Sequence, residues 1–165
     1  MQPSAISVVV SDSGPLIALG RLDRLAVLAG VFREVQVPRD VLAECLRRPE
    51  LPDAQAIQSA VASGILLLCD AAPVRVDGLG AGESAAIGRA MEIGAALLAD
   101  DLAARHHAAG LGLTVIGTLG VLVRAKRLQL LPAVRPLIEQ LRASGHRLGP
   151  SAIADALRAA GELTP

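Results

Sequence analysis

The chain has 165 residues, 52% of them hydrophobic, which is enough for one core in one ordinary domain. Aromatic residues make up 1%, with Phe32 alone, so the core must be built from Leu, Val, Ile and Ala. A formal net charge of zero argues against a uniformly basic nucleic-acid binder, and two distant cysteines argue against a zinc site or disulfide framework.

The first apolar run predicts a buried parallel strand over Val8–Ser11, ending in Asp12. Pro15 then opens a helix through Leu16, Ile17, Leu19, Leu22, Leu25 and Leu28, ending near Gly30. Glu34–Val37 reads as a short second strand, stopped by Pro38, which also suits the first turn of the next helix. Val41, Leu42, Cys45 and Leu46 recur there at helical spacing, and that helix stops before Pro49. Asp53 caps another helix through Ile57 and Val61, and Ile65–Cys69 forms a strand after the Gly64 C-cap.

Gly78–Gly82 reads as a loop, with Glu83 opening a helix through Ala86, Ile87, Ala90 and Met91 to Gly94. Ala96–Ala99 is the next strand, Asp101–Ala109 a helix, Leu113–Ile116 a strand and Thr118–Lys126 a helix. Helices near Ala133–Ser144 and Ser151–Ala160 finish the chain. Alternating strands and helices with short loops predict an α/β fold, a three-layer αβα sandwich around a mostly parallel sheet. The expectation is a single domain over 1–165, with a core of about residues 6–130 and a helical extension of about 132–161.

Charge is unevenly distributed. Residues 1–101 hold 8 basic and 13 acidic side chains; residues 102–165 hold 8 basic and 3 acidic. An acidic part suits a metal and a basic part suits phosphate, although Arg124, Arg127, Arg135, Arg142 and Arg147 also read as solvated helix faces. Cys45 and Cys69 sit among apolar residues as small hydrophobes. The first residues show no secretory leader and no apolar run reaches the roughly eighteen residues of a membrane span, so a cytoplasmic protein is expected.

The acids at strand ends carry the functional signal. In open α/β sheets ligands bind at the carboxyl edge, and carboxylates gathered there repel one another unless a cation compensates them. Asp12 ends the first strand, although it or Ser13 could instead cap the next helix. Glu44 lies beside the buried stripe of its helix; judged from that helix alone, it is a surface acid pairing with Arg48 at i+4. Glu83 follows Gly80-Ala81-Gly82, where the helix dipole alone explains a carboxylate, and no phosphate-loop or dinucleotide fingerprint follows.

Asp100-Asp101 is harder to explain by structure, because one acid suffices to cap the following helix and the second is then an unneeded like charge. Arg105, one turn on, could orient an acid or meet a phosphate. His106 and His107 form no metal spacing with a third ligand and read as exposed.

In this order the acids resemble those of the PIN domain, the nuclease fold of VapC-type toxins. The matching pieces are Asp12-Ser13 after an apolar strand, Pro38 leading to Val41 and Glu44, Gly82-Glu83 opening a helix, and Leu97-Leu98-Ala99-Asp100-Asp101 before a helix. Ser11-Asp12-Ser13-Gly14-Pro15-Leu16-Ile17-Ala18-Leu19, Gly117-Thr118-Leu119-Gly120 and the pair Lys126-Arg127 resemble a prokaryotic PIN subfamily in more detail. The resemblance covers about residues 6–160. It implies that Asp12, Glu44, Glu83 and Asp101 are catalytic and hold Mg²⁺ or Mn²⁺, with Asp100 an additional ligand candidate.

Many PIN domains have Thr where Ala99 stands, so Ser13 or Thr118 would supply the missing hydroxyl; Gly14 also stands where Ser or Asn is common. The implied activity is hydrolysis of RNA phosphodiester bonds by metal-activated water, as the toxin of a toxin–antitoxin pair. With Phe32 alone, aromatic stacking on bases would contribute little. Implied partners are an RNA substrate, an antitoxin protein and a second copy of the chain, with no membrane. The alternative is a non-catalytic PIN module. A haloacid-dehalogenase phosphatase would need an acid where Gly14 stands, and a receiver domain a Lys at a late strand tip, whereas Lys126 falls in a helix.

Overall fold

The computed structural model describes residues 6–71 and 74–163. Five strands form one all-parallel sheet: β1 (Val8–Ser11), β2 (Glu34–Pro38), β3 (Leu67–Cys69), β4 (Ala96–Leu98) and β5 (Val115–Ile116), in the order β3-β2-β1-β4-β5. Val9 and Val10, at the centre of the sheet, are fully buried, which is why β1 reads as an unbroken apolar run. Register places Val9 beside both Val35 and Ala96. The chain winds outward from β1 to β2 and β3, then crosses back to β4. The topological switch point therefore lies between β1 and β4, the place at the carboxyl edge where open α/β sheets bind their ligands in a crevice. The Asp12 amide donates to the Leu98 carbonyl at 2.9 Å across that seam.

Helices flank the sheet: α1 (Ser13–Arg21), α2 (Val27–Val31), α3 (Arg39–Cys45), α4 (Pro52–Ala62), α5 (Ala81–Ile93), α6 (Leu102–Gly110), α7 (Thr118–Arg127), α8 (Arg135–Ala143) and α9 (Pro150–Ala159). The core is aliphatic, with Leu16, Leu19, Leu28, Ile57, Ile87, Leu98, Leu122 and Leu141 essentially inaccessible. Burial of each such side chain contributes about 1.5–3 kcal/mol. Gly20 lets α1 approach α4 closely, since a Cβ there would lie 3.1 Å from the Asp53 carbonyl oxygen.

The continuous helix expected from Pro15 to Gly30 is two helices. Asp23 takes a left-handed conformation (φ 53°), with Asp23 N–H bonding Gly20 O and Arg24 N–H bonding Leu19 O, the two bonds of a Schellman stop. Leu22, Leu25 and Leu28 are all buried, so the apolar period runs through the break and conceals it. Asp53 does not cap α4: Leu51 does, Pro52 occupies the first turn, and Asp53 adds charge favourable to the dipole. Nor does Glu83 open α5, which starts at Ala81.

The Lys126-Arg127 pair is structural. Lys126 Nζ donates to the Ala160 carbonyl and to Glu162 Oε1, both at 2.8 Å, and Arg127 Nη2 donates to the Ala159 carbonyl at 3.1 Å. Glu162 also accepts from the Val134 and Arg135 amides at 2.6 and 2.8 Å. These bonds tie the start of α8 and the end of α9 to the end of α7. The turn between α8 and α9 reaches back to the carboxyl edge of the sheet, where His146 Nε2 lies 3.5 Å from Asp100 Oδ2. Among the described residues no helix is long and apolar enough to cross a membrane.

Candidate active site

Asp12 follows β1 at the switch point and is only 4% exposed. It occupies the N-cap position of α1, yet its side chain makes no capping bond, and its Oδ1 is buried with no hydrogen-bond partner among the described residues. Burial pushes its carboxyl up to about 7; the Ser13 amide offsets part of that, and the charges of Glu83, Glu44 and Asp101 raise it further. Glu44, Glu83 and Asp101 are thus close enough for their charges to act on Asp12, the most buried of the four.

The other three are each held by a backbone amide at the start of a helix. Glu44, on α3, crosses to α5: its Oε1 accepts from the Gly82 amide at 3.0 Å and its Oε2 from Ser13 Oγ at 3.2 Å. The Arg48 pairing expected for it does not form, because Arg48 binds Glu50 instead. Glu83 Oε2 accepts from the Gly80 amide at 2.6 Å, so this acid caps α5, and its charge also acts on Asp12. Asp101 Oδ1 accepts from the Ala104 amide at 2.9 Å and caps α6.

The two adjacent acids diverge. Asp100 turns toward α7, where Thr118 N–H and Thr118 Oγ donate to its two oxygens at 2.8 and 2.5 Å. Burial alone would raise the Asp100 carboxyl, but His146 and Thr118 more than offset this and hold it below the usual range. Asp100 is thus no unneeded charge: it is tied to α7 while its neighbour caps α6. Thr118 is fully buried and braces Asp100, and Ser13 braces Glu44. Arg105 is tied to the end of β4 through one of its guanidinium N–H groups, Nη1 donating to the Ala99 carbonyl at 2.8 Å.

His106 and His107 are exposed. Cys45 is buried beside this acidic set, and burial, then Asp12 and Glu44, push its thiol up to about 12, leaving it an inert hydrophobe. Cys69 is only partly buried. His146, which no motif in the sequence marks, reaches Asp100 from the turn after α8.

The glycines before Glu83 serve a carboxylate rather than a phosphate. A Cβ on Gly82 would lie 2.6–2.7 Å from the carboxyl group of Glu44, and one on Gly80 would lie 3.4 Å from Glu83 Oε2 and 3.8 Å from Glu44 Oε1. Both acids therefore crowd this turn.

Oxygen donors alone suit a hard divalent cation, and the orphaned Asp12 Oδ1 is the donor that such an ion would complete. Glu83 and Asp101 each use one oxygen on a backbone amide, leaving the other for a ligand. Among the described residues, no three or more His, Cys, Asp or Glu side chains are already close enough to hold an ion as they stand. The donor set fits such a metal in chemistry, and its side chains would have to draw in around one.

A parallel sheet of this order with acids at its switch point is a doubly wound α/β fold with a candidate ligand site at its carboxyl edge. A PIN-domain family model, DUF3368, matches residues 8–162, and the chain belongs to the PIN-domain family. PIN domains are typically nucleases and generally use divalent metals. Among solved structures the chain is similar to a PilT N-terminus domain protein, SSO1118, from the hyperthermophilic archaeon Sulfolobus solfataricus P2. The identity is 21% and the TM-score 0.47, over 69% of this chain and 89% of that one. No curated protein matches the chain.

Proposed function

We propose that this chain is a divalent-metal-dependent endoribonuclease that acts as the toxin of a toxin–antitoxin pair. The observation that carries the reading is the buried, unpartnered Oδ1 of Asp12 beside Glu44, Glu83 and Asp101. A buried polar atom without a partner costs about 1–3 kcal/mol, and a cation removes that cost while neutralising the mutual repulsion.

In this reading Asp12, Glu44, Glu83 and Asp101 hold Mg²⁺ or Mn²⁺, and Asp100 acts from beside them. The ion, when bound, supplies a Lewis acid that activates water and neutralises charge on the phosphate. Ser13 orients Glu44, and Thr118 orients Asp100, supplying the hydroxyl that Ala99 lacks. The Ala104 and Gly82 amides hold Asp101 and Glu44 against turning away from the crevice. With Phe32 as the one aromatic residue, RNA recognition rests on backbone contacts and hydrogen bonds. An antitoxin peptide would cover the same crevice, a second copy of the chain would pair with it, and both would meet it in the cytoplasm.

One observation favours a second reading. Each of Glu44, Glu83, Asp100 and Asp101 already has a hydrogen-bond partner within the protein, as a non-catalytic PIN module would need. Cleavage of structured and unstructured RNAs, compared in Mg²⁺, Mn²⁺ and EDTA, separates the two. The nuclease reading expects metal-dependent cuts that vanish in Asp12→Asn/Asp101→Asn. Equal products from wild type and double variant, or none from either, would favour the module.

A further inference from the structure

The 8 basic side chains of residues 102–165 do not form one solvated surface. Arg105, Lys126, Arg127, Arg135 and Arg158 are each engaged by a carbonyl or carboxylate of the protein itself. Among the described residues, only Arg124, Arg142 and Arg147 of that set have no such partner, and Arg124 is half-buried in α7.

Arg142 and Arg147 are exposed, and both line one cleft of about 480 Å³ in the turn joining α8 to α9, together with His146. No acidic side chain lines it; Gly145, Leu148 and Gly149 complete its wall. His146 also touches Asp100, so the cleft adjoins the carboxylate crevice. Two unsatisfied guanidiniums beside a set of acids present adjacent sites of opposite sign, the arrangement that a phosphodiester chain requires when one phosphate lies at the acids.

We infer that the α8–α9 turn is the backbone-binding subsite of the enzyme, where Arg142 and Arg147 grip RNA phosphates next to the bond being cut. The inference rests on the ribonuclease reading and gives its substrate a path. Lys126 and Arg127 are excluded from that path because they hold the end of α9, and Glu162, bound by Lys126 and by the Val134 amide, joins that end to the start of α8, so both ends of the segment that presents the cleft are fixed. Arginine suits the role, since its planar fork matches a phosphate and stays charged at any working pH.

The test measures binding of a fluorescent single-stranded RNA by anisotropy, without divalent metal, across a series of KCl concentrations. Arg142→Ala/Arg147→Ala should bind about tenfold more weakly than wild type, with the slope of log K against log salt shallower by about 1.4. Arg21→Ala/Arg24→Ala, which removes the same charge near the far end of α1, should bind as wild type. Equal affinity and slope for wild type and Arg142→Ala/Arg147→Ala would overturn the inference, and so would the absence of RNA binding by wild type. Displacement of the RNA by poly-glutamate at equal charge concentration would also overturn it, assigning the cleft to acidic protein segments. Binding lost with these arginines in a chain that never cuts RNA would leave the subsite standing while the nuclease reading fell.

Discussion

The amide of Gly82 donates to Glu44 across the gap between α5 and α3, and a methyl group on Gly82 would fall within 2.7 Å of that same carboxylate. Gly82→Ala must therefore push Glu44 aside. Because the displaced group is the end of a flexible side chain, and Ala favours a helix over Gly by about 0.5–1 kcal/mol, the fold should hold or gain stability. The expected outcome is an unchanged or raised melting temperature with Mn²⁺ affinity at least about tenfold lower, read by calorimetry on one preparation. Loss of both together would mean that Gly82 is only a packing residue.

Asp101 has two roles that substitution separates. Asn retains an oxygen able to accept from the Ala104 amide, whereas Ala does not. Asp101→Asn should abolish cleavage while keeping metal-free stability at or above wild type, since it removes a like charge near Asp12. Asp101→Ala should be equally inactive and less stable by about 1 kcal/mol, the cost of a lost cap. Denaturant unfolding of both variants decides the point. Equal destabilisation by Asn and Ala would show that the charge itself, not the cap, supports the fold.

Stability without metal should depend on pH through Asp12. With its carboxyl raised to about 7, mainly by burial, the folded chain keeps a proton that the unfolded chain releases near 3.8. Between about pH 4 and 7 the folded state therefore binds more protons, and stability falls as pH rises, by about 1.4 kcal/mol for each unit of the shift. Asp12→Asn should flatten this part of the profile, and Mn²⁺ should restore wild-type stability above pH 7. A wild-type profile rising between pH 5 and 7 would contradict the burial of an uncompensated Asp12.

Thr118→Val keeps the Thr118 amide bond to Asp100 and removes the hydroxyl bond. Asp100 then loses one of the groups that hold its carboxyl low, and the fold should lose about 1–3 kcal/mol at pH 7. Because a lowered carboxyl stabilises the fold above its unfolded titration and ceases to do so in acid, the difference between Thr118→Val and wild type should shrink toward pH 3. Thermal unfolding at pH 3 and pH 7 measures it; an equal difference at both would assign the loss to packing of the buried Thr118.

Asp12 and Asp100 were legible because each follows a buried strand, and a carboxylate that ends an apolar run is conspicuous. Glu44 was not legible from its own helix: its partners Ser13 and Gly82 lie 31 and 38 residues away, while Arg48, in plain view at i+4, pairs elsewhere. The break at Asp23 was hidden because Leu22, Leu25 and Leu28 keep a helical period on both sides of it. His146 carried no local signal at all, since it meets Asp100 only when α8 and α9 fold back over α7. Lys126-Arg127 stood out as a pair, but nothing in its spacing revealed that Ala159, Ala160 and Glu162 would take up both charges.

On the proposed reading, a divalent cation is what the buried, unpartnered Asp12 Oδ1 meets. Calorimetric titration of the full chain with Mn²⁺ at pH 8, where Asp12 is ionised, tests it without needing the right RNA. Wild type should bind saturably and Asp12→Asn at least about tenfold more weakly, with both proteins folded. Equal Mn²⁺ affinity in wild type and Asp12→Asn, or no binding by wild type, would contradict it.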